Sequence, residues 1–190
     1  MTLMRATWTH AHLAVPGVPR WARIAAYAVP FTVLPASLWR IAAVTFHLPI
    51  SHGDPGSGQV PAWLPMEVYV VLLSVFSEVV AFAAVGLIAG WGEVFPRWVP
   101  WLRGRRVPPL AAVVPAALGA GVLTYMWTLV AFYVVRGQDV DGRTLAADFP
   151  LNVHDWKGLL AVAAYAPLLL WGPLLAALTV AYWRRRTRPT

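Results

Sequence analysis

The chain has 190 residues, 59% of them hydrophobic and 12% charged, where a soluble domain carries about 25% charged residues. Cysteine is absent, which excludes disulfides, thiolate nucleophiles and zinc–thiolate sites. Fifteen basic residues against eight acidic ones give a formal net charge of +7; in a chain this apolar, the excess points to membrane topology and anionic lipid rather than to nucleic acid.

Residues 1–23 read as a cytoplasmic tail. The apolar run Leu13 to Val18 is short and broken by Pro16, so it does not make a signal peptide. Four longer apolar stretches follow, Ile24 to Leu48, Met66 to Gly90, Pro109 to Val135 and Trp156 to Trp183. Each exceeds the roughly 20 helical residues that cross a bilayer core. The expected fold is therefore an all-α polytopic membrane protein, a bundle of four transmembrane helices forming one membrane domain. Gly/Pro-rich, Trp/Arg-rich and Asp-containing loops separate the spans.

Arginine placement sets the expected orientation. Eleven Arg residues fall in the tail, the second loop and the C-terminus, against three basic residues, Arg136, Arg143 and Lys157, on the other side. The positive-inside rule puts the eleven, and both termini, in the cytoplasm of a cell membrane. Among them Arg103, Arg105, Arg106, Arg184, Arg185 and Arg186 are candidates for contact with anionic lipid. Their simpler role is to stop translocation.

Two charges lie inside apolar spans. Arg40 is eight residues before Leu48, a depth of about 12 Å, and Glu78 is twelve residues after Met66, about 18 Å deep. An ionised side chain at the centre of a span costs about 2.5–3.5 kcal/mol on insertion scales and usually faces a partner. An Arg40–Glu78 ion pair between neighbouring helices is the leading structural expectation. Thr32, Arg40 and His47 share one face of the first span, and Glu67, Ser74 and Glu78 one face of the second. Thr124, Tyr125 and Thr128 of the third span and Tyr165 of the fourth lie at compatible depths and could complete a polar patch.

At the outer side His47, His52 and His154 stand with Asp54, Glu67 and Asp155. Imidazole with carboxylate can hold a metal, but no spacing here is a metal motif, and a polar membrane rim accounts for them. No cofactor site is expected, and no phosphate loop or Ser nucleophile with His/Asp partners is present. Asp155 suits a helix N-cap.

Three functional readings remain open. The first is an accessory or structural membrane protein held by a buried Arg–Glu pair. The second is a membrane-embedded acid/base enzyme acting on a lipid or isoprenoid, with Glu78, Glu67 or Asp155 as general acid. The third is a small proton- or cation-coupled transporter binding at Glu78, acting as half of a homodimer or beside another membrane partner.

The stretches LPASLWRIA (Leu34 to Ala42), SEVVAFAAVGL (Ser77 to Leu87) and YAPLLLWGPLLA (Tyr165 to Ala176), and above all WGEVFPRWVPWLRGRRVPPLAAVVPAALGA (Trp91 to Ala120), resemble a group of small actinobacterial integral membrane proteins. The resemblance implies the membrane assignment and carries no catalytic residues across.

Overall fold

The computed structural model describes residues 15–52, 61, 63–94, 105–138, 142–145, 149–151, 153 and 155–187. Among these residues every regular element is helical. Four helices are long and apolar enough to cross a membrane. Helix α1 covers Arg20–Arg40 and runs into a π-helical turn, Ile41–Thr45, to make the first span. Helix α2, Met66–Ala83, tightens into the 3-10 turn Ala84–Leu87, and a second short 3-10 turn follows at Gly90–Gly92. Helix α3 is Pro109–Val135. The fourth span is divided into α4 (Trp156–Tyr165), a 3-10 turn (Ala166–Leu170) and α5 (Trp171–Thr187).

Local chemistry explains most of the ends. The first helix begins at Arg20, earlier than the hydropathy suggests, after Pro19 in extended conformation. It stops at Thr45 rather than Leu48 because Pro49 disfavours helix at the residue before it, and the chain turns out through His47 at φ 50°. Helix α3 opens with a proline, whose missing N–H is harmless at the first helical position. It closes on Gly137 at φ 65°, with Gly137 N–H donating to the Val134 carbonyl and Gln138 N–H to that of Tyr133. That is a Schellman motif, which satisfies two end carbonyls. Pro167 sits at the start of the 3-10 segment that interrupts the fourth span, whereas Pro30 and Pro35 remain inside an unbroken α1.

The spans form a row rather than a closed square. The first packs against the second on one side and against both halves of the fourth on the other, and the third packs against the fourth. Ala22, Ala25, Ala26, Val29, Val33 and Ala36 make the buried face of α1. They meet Ala81, Val85, Leu168, Leu178 and Tyr182 of its neighbours in one core. Helix α3 fully buries only Ala120. Its close approach to the fourth span depends on Gly172, where an added Cβ would lie 2.6 Å from Thr124 N and 2.9 Å from the Ala120 carbonyl oxygen.

At the Arg-rich end the spans are tied together by one carboxylate. Glu93 Oε1 lies 2.7 Å from Arg185 Nη2, and its Oε2 lies 3.5 Å from Arg186 Nη1. Arg185 also donates to the Leu87 carbonyl, and Arg186 to that of Val107. The Glu93 carbonyl accepts from Val107 N–H. Trp91 stacks on Phe82 with ring centroids 6.5 Å apart and covers Gly86 at the end of the second span.

The Gly172 contact gives a direct expectation. Gly172→Val must push α3 away from the fourth span, and overpacking of this kind costs about 1–3 kcal/mol. The thermal midpoint of the detergent-solubilised protein is expected to fall by several degrees; an unchanged midpoint would mean that the close approach contributes nothing to stability.

Candidate functional site

The two deep charges lie at one level of the bundle, at a place where the backbone departs from regular α-helix. Arg40 is the last residue of α1 before the π turn, in which Phe46 N–H reaches the Ile41 carbonyl at 3.1 Å. Tyr165 is the last residue of α4 before the 3-10 segment. Such breaks recur at functional sites because they re-aim side chains and loosen the hydrogen-bond ladder.

Arg40 does not close an ion pair on Glu78. Among the described residues the pairs with N···O separations of 4.0 Å or less involve Glu67, Glu93 and Asp155 only. Arg40 Nη2 instead lies 3.5 Å from Ser37 Oγ, and its guanidinium carbon stands 5.9 Å from the centroid of the Tyr165 ring. Ser37 and Arg40 both stand close enough to the Glu78 carboxylate to act on it electrostatically. In place of the expected pair stands an open Arg40–Ser37–Glu78 arrangement, in which the serine meets the guanidinium and both stand near the carboxylate. Its physical origin is helical spacing: Ser37 precedes Arg40 by three residues, which brings their side chains onto one face.

Several polar atoms around this arrangement are buried without a protein partner. They are Trp39 Nε1, Arg40 Nε, Thr45 Oγ1, Ser74 Oγ and Glu78 Oε1. Ser74 is buried one helical turn before Glu78. Trp39 meets Tyr165 edge to face at 5.6 Å, and Trp127 of α3 approaches the same ring at 6.0 Å. An aromatic wall therefore stands on the fourth-span side of the arginine.

The rest of the expected polar patch is not at this place. Thr124, Tyr125 and Thr128 line an open groove of about 860 Å³ between α3 and α5. Tyr125 is exposed, and the Thr124 hydroxyl donates to the Ala120 carbonyl. The reason is the order of the spans: the fourth lies between the first and the third, so this face of α3 has no route to Arg40. Thr32 is buried, but its hydroxyl is spent on the Val29 carbonyl within its own helix. His47 is carried out of the helix by its left-handed backbone and lies 3.8 Å from Glu67.

Asp54 of the outer constellation lies outside the described residues, and the described members resolve into separate pairs. His52 Nε2 lies 2.7 Å from Asp155 Oδ1 and so clasps the first loop to the start of α4. Asp155 also accepts from Gly158 N–H at 3.0 Å, as an N-cap should. His154 and Arg103 lie outside the described residues. Among the described residues no three His, Cys, Asp or Glu side chains gather where a metal could be held. Of the arginines considered for lipid contact, Arg185 and Arg186 are engaged by Glu93, while Arg105, Arg106 and Arg184 are exposed.

Glu93 is the residue that the sequence reading missed. The available signal was its isolation: it is the one acidic residue in the three basic segments. Compared with known protein families, curated proteins and solved structures, the chain has no match.

The Asp155 cap has a pH signature. The Gly158 amide first, and the His52 ring second, hold the Asp155 carboxyl below its ordinary range. A carboxyl lowered in the folded state stabilises it above the unfolded-state value and loses that contribution as pH falls through the folded-state value. Asp155→Ala should therefore speed amide hydrogen exchange at Gly158 at neutral pH, and the difference from wild type should shrink as the pH drops below the usual carboxylate range. A difference that persists undiminished in acid would contradict the charged cap.

Proposed function

We propose that this chain is a multi-pass protein of the cell membrane, with both termini and the second loop cytoplasmic, and that it is a small proton-coupled transporter whose exchanging group is Glu78. The observation that carries this reading is the state of the Arg40–Ser37–Glu78 arrangement. A pair serving only to fix helix register would be expected to close directly, because each buried group left unpaired costs about 1–3 kcal/mol. Here Glu78 Oε1, Arg40 Nε and Ser74 Oγ are all buried and unpartnered. Unsatisfied polar groups kept in an apolar span call for a functional explanation.

In this reading each residue has a distinct task. Glu78 takes up and releases the proton. Arg40 stabilises the carboxylate when the proton leaves, from a distance that does not lock it. Ser37 can donate to the carboxylate and accept from the guanidinium, which couples the two. The π turn after Arg40 and the 3-10 segment after Tyr165 supply backbone that can re-aim both side chains. The resemblance to small actinobacterial membrane proteins bears on the membrane assignment alone. The lipid-modifying enzyme is supported less well: Glu67 lies eleven residues before Glu78, about 16 Å along the helix, and Asp155 is engaged as a cap.

The test is flux. Wild-type protein reconstituted in liposomes is expected to dissipate an imposed pH gradient, read by an internal pH-sensitive dye. Glu78→Gln, which keeps size and hydrogen bonding, is expected to lower the rate at least tenfold while insertion and thermal midpoint stay close to wild type. Equal rates for the two proteins would sink the assignment.

One separate observation favours the accessory reading. The groove between α3 and α5 exposes Ala117, Gly121 and Thr128 along a helix that buries almost nothing. Small residues allow another helix to come close in lipid, where no hydrophobic force drives association. A homodimer or another membrane partner seated there would be disrupted by Gly121→Leu, read as a shift from dimer to monomer in cross-linked membranes. A mass distribution unaffected by the substitution would leave that reading without support.

A further inference from the structure

A cavity of about 610 Å³ opens between the start of the first span and the end of the fourth, at the Arg-rich end of the molecule. Its walls are apolar: Trp21, Ala22, Ile88, Leu178 and Ala181 are among the residues that line it. One side is built by the chain before α1. Gly17, at φ 85°, turns that chain back so that Val15 N–H can donate to the Ile88 carbonyl at 2.9 Å. The volume falls within the roughly 300–1,000 Å³ of small-molecule sites.

Arg184 and Arg185 line the cavity. Arg185 is held in place by Glu93 and by the Leu87 carbonyl. Arg184 is exposed, and among the described residues it has no hydrogen bond or ion pair. Arg20 and Arg23, in the first turn of α1, are exposed at the same end. An apolar hollow with an unengaged guanidinium among its lining residues is complementary to one kind of molecule, an amphiphile with an anionic head. Arginine suits that head because its fork donates two parallel hydrogen bonds to a phosphate.

We propose that this cavity is a binding site for a single anionic phospholipid, with one acyl chain between Trp21 and Leu178 and the phosphate on Arg184. The site is distinct from the Glu78 cluster and goes beyond the function proposed above. It explains why the last helical turn carries three arginines when Glu93 engages only two.

The experiment is native mass spectrometry of the full-length protein, exchanged into vesicles of pure phosphatidylcholine or of phosphatidylcholine with phosphatidylglycerol and then released into mild detergent. Wild type is expected to retain one phosphatidylglycerol and no phosphatidylcholine. Arg184→Gln should weaken retention about fivefold, the loss of one near-surface cationic contact. Ala181→Phe, which fills the hollow, should abolish it while leaving the thermal midpoint of lipid-free protein near wild type. Glu78→Gln should retain the lipid as wild type does, whatever happens to flux. Glycerol phosphate, which has the head and no chain, should not compete. Equal retention of the two lipids, full retention by both cavity variants, loss of retention in Glu78→Gln, or competition by glycerol phosphate would each overturn the proposal.

Discussion

Ala22, Ala25, Ala26, Val29, Val33 and Ala36 form a seam of small side chains along α1, and the arrangement of the other spans follows from it. On the proposed membrane placement the lipid tails are as apolar as leucine, so helices there gain little by hiding apolar surface from their surroundings. What holds them is close van der Waals contact, and small side chains permit it. The seam lets the first span accept a neighbour on each side, the second and the fourth. Gly172 repeats the device between the fourth span and α3. The row that results leaves α3 as an outer helix with one fully buried residue.

That row decides what each polar group can meet. Arg40 sits on an inner helix of the row, so it is flanked by Glu78 on one side and by Tyr165 on the other. Ser37, three residues before Arg40, takes up the guanidinium contact. The aromatic cluster of Trp39, Tyr165 and Trp127 closes the arginine off on the fourth-span side. The threonines of α3 sit beyond the fourth span and belong to a different surface.

The four spans were legible in the sequence because hydropathy is a local property, and each apolar stretch is long enough to declare itself. The depth of Arg40 and Glu78 was legible too, since a helix has a fixed rise per residue. The order of the helices was not. Polar stripes on four spans can be assembled in several ways, and periodicity carries no information about which helix stands in the middle. Asp155 as a cap could be read from the adjoining sequence, whereas its clasp on His52 spans 103 positions. The π turn after Arg40 left no compositional mark, and only Pro49 hinted that the helix must change course. Glu93 lies 92 positions from Arg185, and nothing local pairs them.

The Glu93 contact also separates two moments in the life of the chain. During insertion, topology is decided on segments that have not yet packed, and at that stage Arg185 and Arg186 carry full, uncommitted charge. After packing, the same two residues are held by Glu93 with side chains less than a fifth exposed. On the proposed topology, the arginines that orient the chain are therefore not the same set as those that face the membrane once it has folded.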